Sequence, residues 1–131
     1  MAAITQSRHA LFGRRYGSFA GKVSLTWTSK GEPQLFTSAN WSGVSWVFQA
    51  TIHVATTGTA YARAWDKTSS VAVTGSEIST AATAKTRVRS GALTVGAGVG
   101  ELVEGHEYEP QYAKSAGGDG EYWGARIIGL P

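Results

Sequence analysis

The sequence contains no cysteine, one methionine, two aspartates and few charged residues of either sign. The absence of cysteine excludes a disulfide framework, a thiolate metal site and a cysteine nucleophile. Only 16% of the 131 residues are charged, whereas 42% are hydrophobic, which is the composition of a folded domain rather than a disordered chain. Side-chain packing and backbone hydrogen bonds must therefore supply the stability.

Long apolar runs are also missing. No window approaches the roughly 20 apolar residues that a membrane-spanning helix requires, and residues 1–11 lack the apolar segment of a secretory signal. A length of 131 residues fits one domain. We therefore expect one domain, made in a cytoplasm, with no membrane partner.

Groups that could converge in an active site are scarce. Asp66 and Asp119 fall in predicted turns, where aspartate commonly accepts hydrogen bonds from the backbone. His9, His53 and His106 belong to no metal-ligand spacing, and no GxSxG nucleophile motif is present. We expect no catalytic residues, no metal and no cofactor. An enzyme would need His53 or His106 within hydrogen-bond reach of both a carboxylate and a nucleophile.

The most acidic stretch, residues 101–109, leaves an alternative open. Glu107 and Glu109 would share one face of a strand, where two carboxylates could bind a cation or act as a general acid pair. A solvated charged face near a sheet edge is the simpler interpretation.

What is present is alternation with a period of two residues, the pattern of half-buried strands. Residues 45–55 place one apolar set on a single face: Trp46, Phe48, Ala50, Ile52 and Val54. Residues 59–67 send Ala60, Ala62 and Ala64 one way and Tyr61, Arg63 and Trp65 the other. The small alanine face predicts a bulky layer packed above it.

Further strands are predicted over 23–28, 34–37, 71–73, 86–95, 106–114 and 121–128, and no helical stripe is visible. Trp46 and Trp123 are in phase with aliphatic residues, which predicts that both are core residues. About eight short strands predict an all-β antiparallel sandwich of jelly-roll type, with an immunoglobulin-like sandwich as the second choice. This domain would cover residues 22–131, after an irregular N-terminal arm over residues 1–21.

The arm and one strand face carry the candidate binding residues. The net charge is +3, and the arm combines cations with aromatic rings that could pair with acidic groups of a partner: Arg8, Phe12, Arg14, Arg15, Tyr16 and Phe19. A second set would form a protein interface or stack on sugar rings: Trp27, Trp41, Tyr61, Arg63 and Trp65. Single-stranded nucleic acid, bound with help from Arg87 and Arg89, is a third reading that we do not expect.

Four segments carry a resemblance: RRYGSFAGK at 14–22, TAYARAWD at 59–66, VTGSEIST at 73–80 and RVRSGALT at 87–94. Together they resemble small jelly-roll structural proteins of tailed bacteriophages and gene-transfer particles, which include head decoration and tail or fibre domains. The resemblance implies a virion protein that adheres to a capsid or tail lattice, as a homo-oligomer and preferably a trimer, with its arm on neighbours. Head and tail locations both stay open. The alternative is a carbohydrate-binding module or a receptor-binding fibre domain.

Overall fold

The computed structural model describes residues 21–22, 25–30, 33–37 and 43–130. This part of the chain forms ten strands and no helix, which confirms the all-β prediction. The strands are β1 Gly21–Lys22, β2 Thr28–Ser29, β3 Gln34–Leu35, β4 Ser45–Val54, β5 Ala60–Asp66, β6 Val71–Ala72, β7 Ile78–Thr80, β8 Thr86–Arg89, β9 Glu107–Lys114 and β10 Gly120–Leu130.

The strands form two antiparallel sheets that pack face to face. The first sheet has four strands in the order β1-β10-β4-β8. The second has six, in the order β2-β9-β5-β6, with β3 also paired to β9 and β7 to β5. The predicted antiparallel β-sandwich is therefore confirmed.

The strand pairs are nested along the chain. β1 pairs with β10, β2 and β3 pair with β9, β4 pairs with β8, and β5 pairs with β6 and β7. These are the pairs of one long, repeatedly bent hairpin. β10 also pairs with β4, which completes the first sheet, and β9 also pairs with β5, which joins the strands of the second sheet.

The core lies between the inner faces of the two sheets. The predicted apolar face of β4 is buried throughout, with its five side chains between 0% and 3% exposed. The three alanines of β5 are completely buried, as predicted, because larger rings from neighbouring strands fill the layer above them. Tyr112 of β9 stacks on Tyr122 of β10 with ring centroids 4.5 Å apart, and Phe36 packs edge-on against Trp46 at 5.1 Å. Trp46 is thus a core residue, as predicted.

Trp123 is not a core residue, and that prediction is wrong. A β-bulge interrupts the pairing of β10 with β4: Tyr122 lies opposite Ile52, and the next paired residue is Gly124. The extra residue shifts the alternation by one position, so Tyr122 and Ala125 both face the core while Trp123 lies half-buried on the outer face. Gly124 has a φ of 135°, which a side chain would disfavour.

The strand predicted over 86–95 is shorter in the structure. Its ladder with β4 ends at Arg89, where Ser90 exchanges hydrogen bonds with the backbone of Phe48. Beyond this point only an isolated bridge joins Leu93 to Trp46. β8 is therefore a short outer strand of the first sheet, which decides where its arginines lie.

Asp119 joins two turns at one end of the sandwich. Its carboxylate accepts hydrogen bonds from the backbone N–H groups of Ala55, Thr56 and Thr57 and from the Thr56 hydroxyl. These donors hold the pKa of the Asp119 carboxyl well below its ordinary value, with the Thr56 hydroxyl as the largest cause. Asp119 thus has the backbone-binding role predicted for a turn aspartate.

Candidate functional site

The outer face of the second sheet brings together four of the five residues predicted for an interface or a sugar site. Trp27, Tyr61, Arg63 and Trp65 form one group, called here the Arg63 cluster. The fifth residue, Trp41, lies outside the described residues. So do all six arm residues: Arg8, Phe12, Arg14, Arg15, Tyr16 and Phe19.

Strand register explains how the cluster forms. Alternation along β5 turns Tyr61, Arg63 and Trp65 outward, because the intervening alanines face the core. β9 separates β5 from β2, and Arg63, Gln111 and Ser29 lie opposite one another across the three strands. Trp27 directly precedes β2, so its indole reaches the same row of the sheet.

The guanidinium group of Arg63 is the centre of the cluster. Its Cζ lies 4.1 Å from the ring centroid of Trp27 and 5.1 Å from that of Trp65. Both distances are typical of cation–π contacts. The Trp27 ring also meets Tyr61 edge-on, with centroids 6.3 Å apart and planes 62° apart. The arginine thus links two indoles that are distant in sequence.

A chain of hydrogen bonds holds Arg63 from the side. Arg63 Nε donates to Gln111 Oε1 at 2.9 Å, Gln111 Nε2 donates to Ser29 Oγ at 3.3 Å, and Ser29 Oγ donates to Glu109 Oε2 at 2.6 Å. Gln111 and Glu109 are only 8% and 9% exposed. The interpretation of Glu107 and Glu109 as a solvated face is therefore wrong for Glu109, because neighbouring side chains cover it, whereas Glu107 is exposed.

Neighbouring side chains also partly bury Arg63, and this burial affects its pKa. Burial lowers the pKa of the Arg63 guanidinium, and the carboxylate of Glu77 partly opposes this shift. The side chain nevertheless stays charged at neutral pH, as arginine does in proteins. The cluster therefore presents one fixed cation framed by three half-buried aromatic rings.

Composition and rigidity make the cluster suited to protein recognition. Trp, Tyr and Arg are enriched where interface energy concentrates. Because Arg63 stacks against both indoles, a sugar ring would compete with the guanidinium for these aromatic faces. Trp27 and Trp65 are half-buried rather than open platforms.

Arg87 and Arg89 do not join the cluster. Both project from β8 on the outer face of the first sheet, on the opposite side of the sandwich from Arg63. Arg89 donates instead to Gln49 Oε1, at 2.9 Å from Nη2. The combined aromatic and basic stripe considered for single-stranded nucleic acid is therefore not formed.

Each of the two described histidines lies beside a carboxylate. His106 Nδ1 is 2.8 Å from Oδ2 of Asp66, which is 1% exposed and also accepts a hydrogen bond from the Ser69 N–H. His53 Nε2 is 3.3 Å from Glu121 Oε1, without the geometry of a hydrogen bond. Among the described residues no serine or threonine hydroxyl hydrogen-bonds either imidazole.

The described ranges contain neither a group of metal ligands nor a membrane-spanning helix. Within 21–22, 25–30, 33–37 and 43–130, no three His, Asp or Glu side chains are grouped as metal ligands. In the same ranges, no helix has the length and apolar character needed to cross a lipid bilayer.

Comparison with known proteins gives no relative. No family model, no curated protein sequence and no solved structure matches the chain.

Proposed function

We propose that this chain is a non-enzymatic structural protein of a phage-type particle, which it decorates or stabilises through protein–protein contacts. The observation that carries the proposal is the Arg63 cluster, a rigid aromatic–guanidinium surface on the outer face of a sheet. The partner is a capsid or tail protein lattice, and the chain acts as a homo-oligomer, preferably a trimer. It is made in the host cytoplasm and ends in the virion.

The strand pairing supports the finer fold assignment, a jelly roll. Jelly rolls consist of two antiparallel sheets built from two Greek keys. The nested pairs of a long hairpin, with β10 inserted between β1 and β4 and β9 between β2 and β5, agree with this topology. A jelly roll is also the fold implied by the sequence resemblance to particle proteins.

The physical case for docking is preorganisation. Binding normally costs conformational entropy for each side chain that it immobilises. Here Arg63 is already held by two indoles and by Gln111, so little order remains to be imposed. A partner carboxylate or backbone carbonyl would meet a charged donor surrounded by aromatic surface, which excludes water from the contact.

Particles purified from the source organism provide the test. Mass spectrometry and cryo-electron microscopy should find the chain on them in a regular array, with the Arg63 cluster facing a neighbouring subunit. Arg63→Ala should reduce the copy number on particles at least fivefold, and the matched Arg89→Ala, on the opposite sheet, should not. Absence of the chain from particles, or equal retention of both variants, would reject the proposal.

A carbohydrate-binding module or receptor-binding fibre domain is the second candidate. The observation that favours it is the pairing of aromatic rings with ordered polar groups, Gln111 and Glu109, on one sheet face. Glycan-array screening separates the two functions. A micromolar ligand whose binding is lost in Trp65→Ala but kept in Trp123→Ala would replace the assembly proposal.

A further inference from the structure

The bulge in β10 opens a pocket on the outer face of the first sheet. Its volume is about 220 Å³, room for a small ligand or one group of a larger one. It lies on the opposite side of the sandwich from the Arg63 cluster. The lining residues come from β4, β8 and β10, and the side chains with polar groups are Gln49, Thr51, Arg87, Trp123 and Arg126.

The pocket is rich in hydrogen-bond donors. Arg87 and Arg126 contribute two guanidinium groups, and no aspartate or glutamate is among the lining residues. The Trp123 indole also lines the pocket, but its Nε1 is buried and has no hydrogen-bond partner among the described residues. A ligand that supplies oxygen acceptors would suit the two guanidinium groups.

The surroundings of the pocket are also positive. Arg87 and Arg89 occupy alternate positions of the edge strand β8, so their side chains leave the same face about 7 Å apart. Lys85 Nζ lies 3.9 Å from the ring centroid of Trp123. The carboxylate of Glu121 on this face lies beside His53 rather than in the pocket.

Arg87 is the lining group most available to a ligand. It is exposed, and in the described part of the chain no hydrogen bond or ion pair engages its guanidinium. Arg89, the next outward residue of β8, is instead held by Gln49. The difference indicates that Arg87 can bind a ligand in the pocket without breaking an existing contact.

We propose that this pocket binds an oxyanion, a phosphate, sulfate or carboxylate group, between Arg87 and Arg126 and beside the Trp123 indole. Guanidinium groups suit such ligands because their donors form a planar fork that matches two oxygens. The site is independent of the Arg63 cluster and of the assembly function proposed for it.

Indole N–H signals provide a direct readout. In a ¹H–¹⁵N NMR titration of the full chain with sodium phosphate, the Trp123 indole signal should shift in a saturable manner, whereas sodium chloride at equal ionic strength should leave it in place. The same signal is assigned by its loss in Trp123→Phe. Sulfate and acetate titrations then distinguish a tetrahedral oxyanion from a carboxylate as the ligand group. No saturable shift with any of the three anions overturns the proposal.

Two variants that each lose one positive charge distinguish a specific anion-binding site from attraction of anions by net charge alone. Arg87→Gln should weaken anion binding about tenfold, which corresponds to about 1.4 kcal/mol. Lys67→Gln, an exposed lysine in the turn after β5, should change it less than twofold. Equal weakening in the two variants would show attraction by net charge only, and the proposed site would be rejected.

Discussion

The guanidinium carbon of Arg63 lies 4.1 Å from the ring centroid of Trp27, although the two residues belong to segments that β9 keeps apart. Trp27 lies next to a strand of only two residues, β2, whose ladder with β9 is correspondingly short. The cation–π contact therefore helps to hold this short edge strand on the sheet, in addition to forming the proposed docking surface.

Replacing Arg63 by lysine tests this coupling. Arg63→Lys keeps the charge but loses the planar stacking group and the Nε bond to Gln111. We expect the free energy of unfolding to fall by about 1–2 kcal/mol, measured by urea denaturation. The matched Arg89→Lys, at an exposed site, should cost no more than about 0.5 kcal/mol. An equal loss in both variants would contradict a structural role for the stacked guanidinium.

Trp46 and Trp123, which both alternate with aliphatic residues in the sequence, should differ sharply in their contribution to stability. Trp46→Ala removes a core ring that is 3% exposed and should lower the free energy of unfolding by about 3–5 kcal/mol. Trp123→Ala removes a half-buried ring on the outer face and should cost about 1 kcal/mol. Thermal and urea denaturation measure both. Similar losses would mean that the bulge does not reverse the facing of Trp123.

A close approach between glycines joins two turns at one end of the sandwich. A Cβ on Gly58 would lie 2.5 Å from the Cα of Gly118, and its φ of 94° is itself unfavourable for alanine. Gly75 has a similar φ of 83°, but open space lies around it. Both alanine variants should therefore carry a conformational cost of about 1–2 kcal/mol.

Only Gly58→Ala should add a steric cost, of about 1–3 kcal/mol beyond the Gly75→Ala loss. Urea denaturation of the two variants side by side isolates that difference. Equal destabilisation of the Gly58→Ala and Gly75→Ala variants would show that the two turns can move apart without a loss of stability.

Tyr108 should make the protein sensitive to alkaline pH. Burial raises the pKa of its hydroxyl to about 12 from an ordinary value near 10. The folded state holds this proton more tightly than the unfolded state, so the contribution is complete below about pH 10 and is lost as pH rises toward about 12. Denaturation between pH 9 and 12 should show the fall, and absorbance at alkaline pH should show late ionisation.

The Tyr108→Phe variant is the control for that titration. The phenylalanine lacks the hydroxyl that donates to Glu101 O at 2.9 Å and accepts from Val103 N–H at 2.7 Å. It should be about 1–3 kcal/mol less stable at pH 7. Its stability should then depend less on pH above about 10, and an unchanged alkaline slope would assign the effect elsewhere.

The Asp119 carboxyl should make the free energy of unfolding depend on pH in the acid range, with a sign opposite to that expected for Tyr108. Its pKa is depressed in the folded state, so its contribution is complete above about pH 4 and is lost as pH falls toward the folded pKa. Asp119→Asn should be less stable than the parent at pH 7, and the gap should narrow below about pH 4. A gap that stays constant from pH 7 to pH 3 would contradict the carboxylate's role. Chemical denaturation across this range measures it.

Sequence periodicity predicted those features that depend on neighbouring residues. Alternation identified β4 and the alanine face of β5 correctly, because successive side chains of a strand point to opposite faces wherever the strand lies. It also predicted the outward set of Tyr61, Arg63 and Trp65. Trp27 was selected as a candidate without any local pattern linking it to that set.

Pairing between distant strands could not be predicted in this way. Nothing local to Arg87 and Arg89 indicates that β8 joins the sheet opposite to Arg63. The bulge before Gly124 depends on how β10 aligns with β4, and it reversed the predicted facing of Trp123. The burial of Glu109 and Gln111 was missed because it arises from large side chains on neighbouring strands, not from their own alternating segment.

The position of β10 has a consequence for biosynthesis. It is the last described strand, yet it fills the middle of its sheet and joins β1 to β4, so residues 21 and 122 must meet before that sheet can close. Until a ribosome has released residues 120–130, the long β4 strand keeps one unpaired edge. Contacts between such distant residues favour slow folding, and an open strand edge of this kind can recruit other chains. During synthesis this edge stays open until β10 pairs with β4, and that pairing then protects the chain from association with other copies.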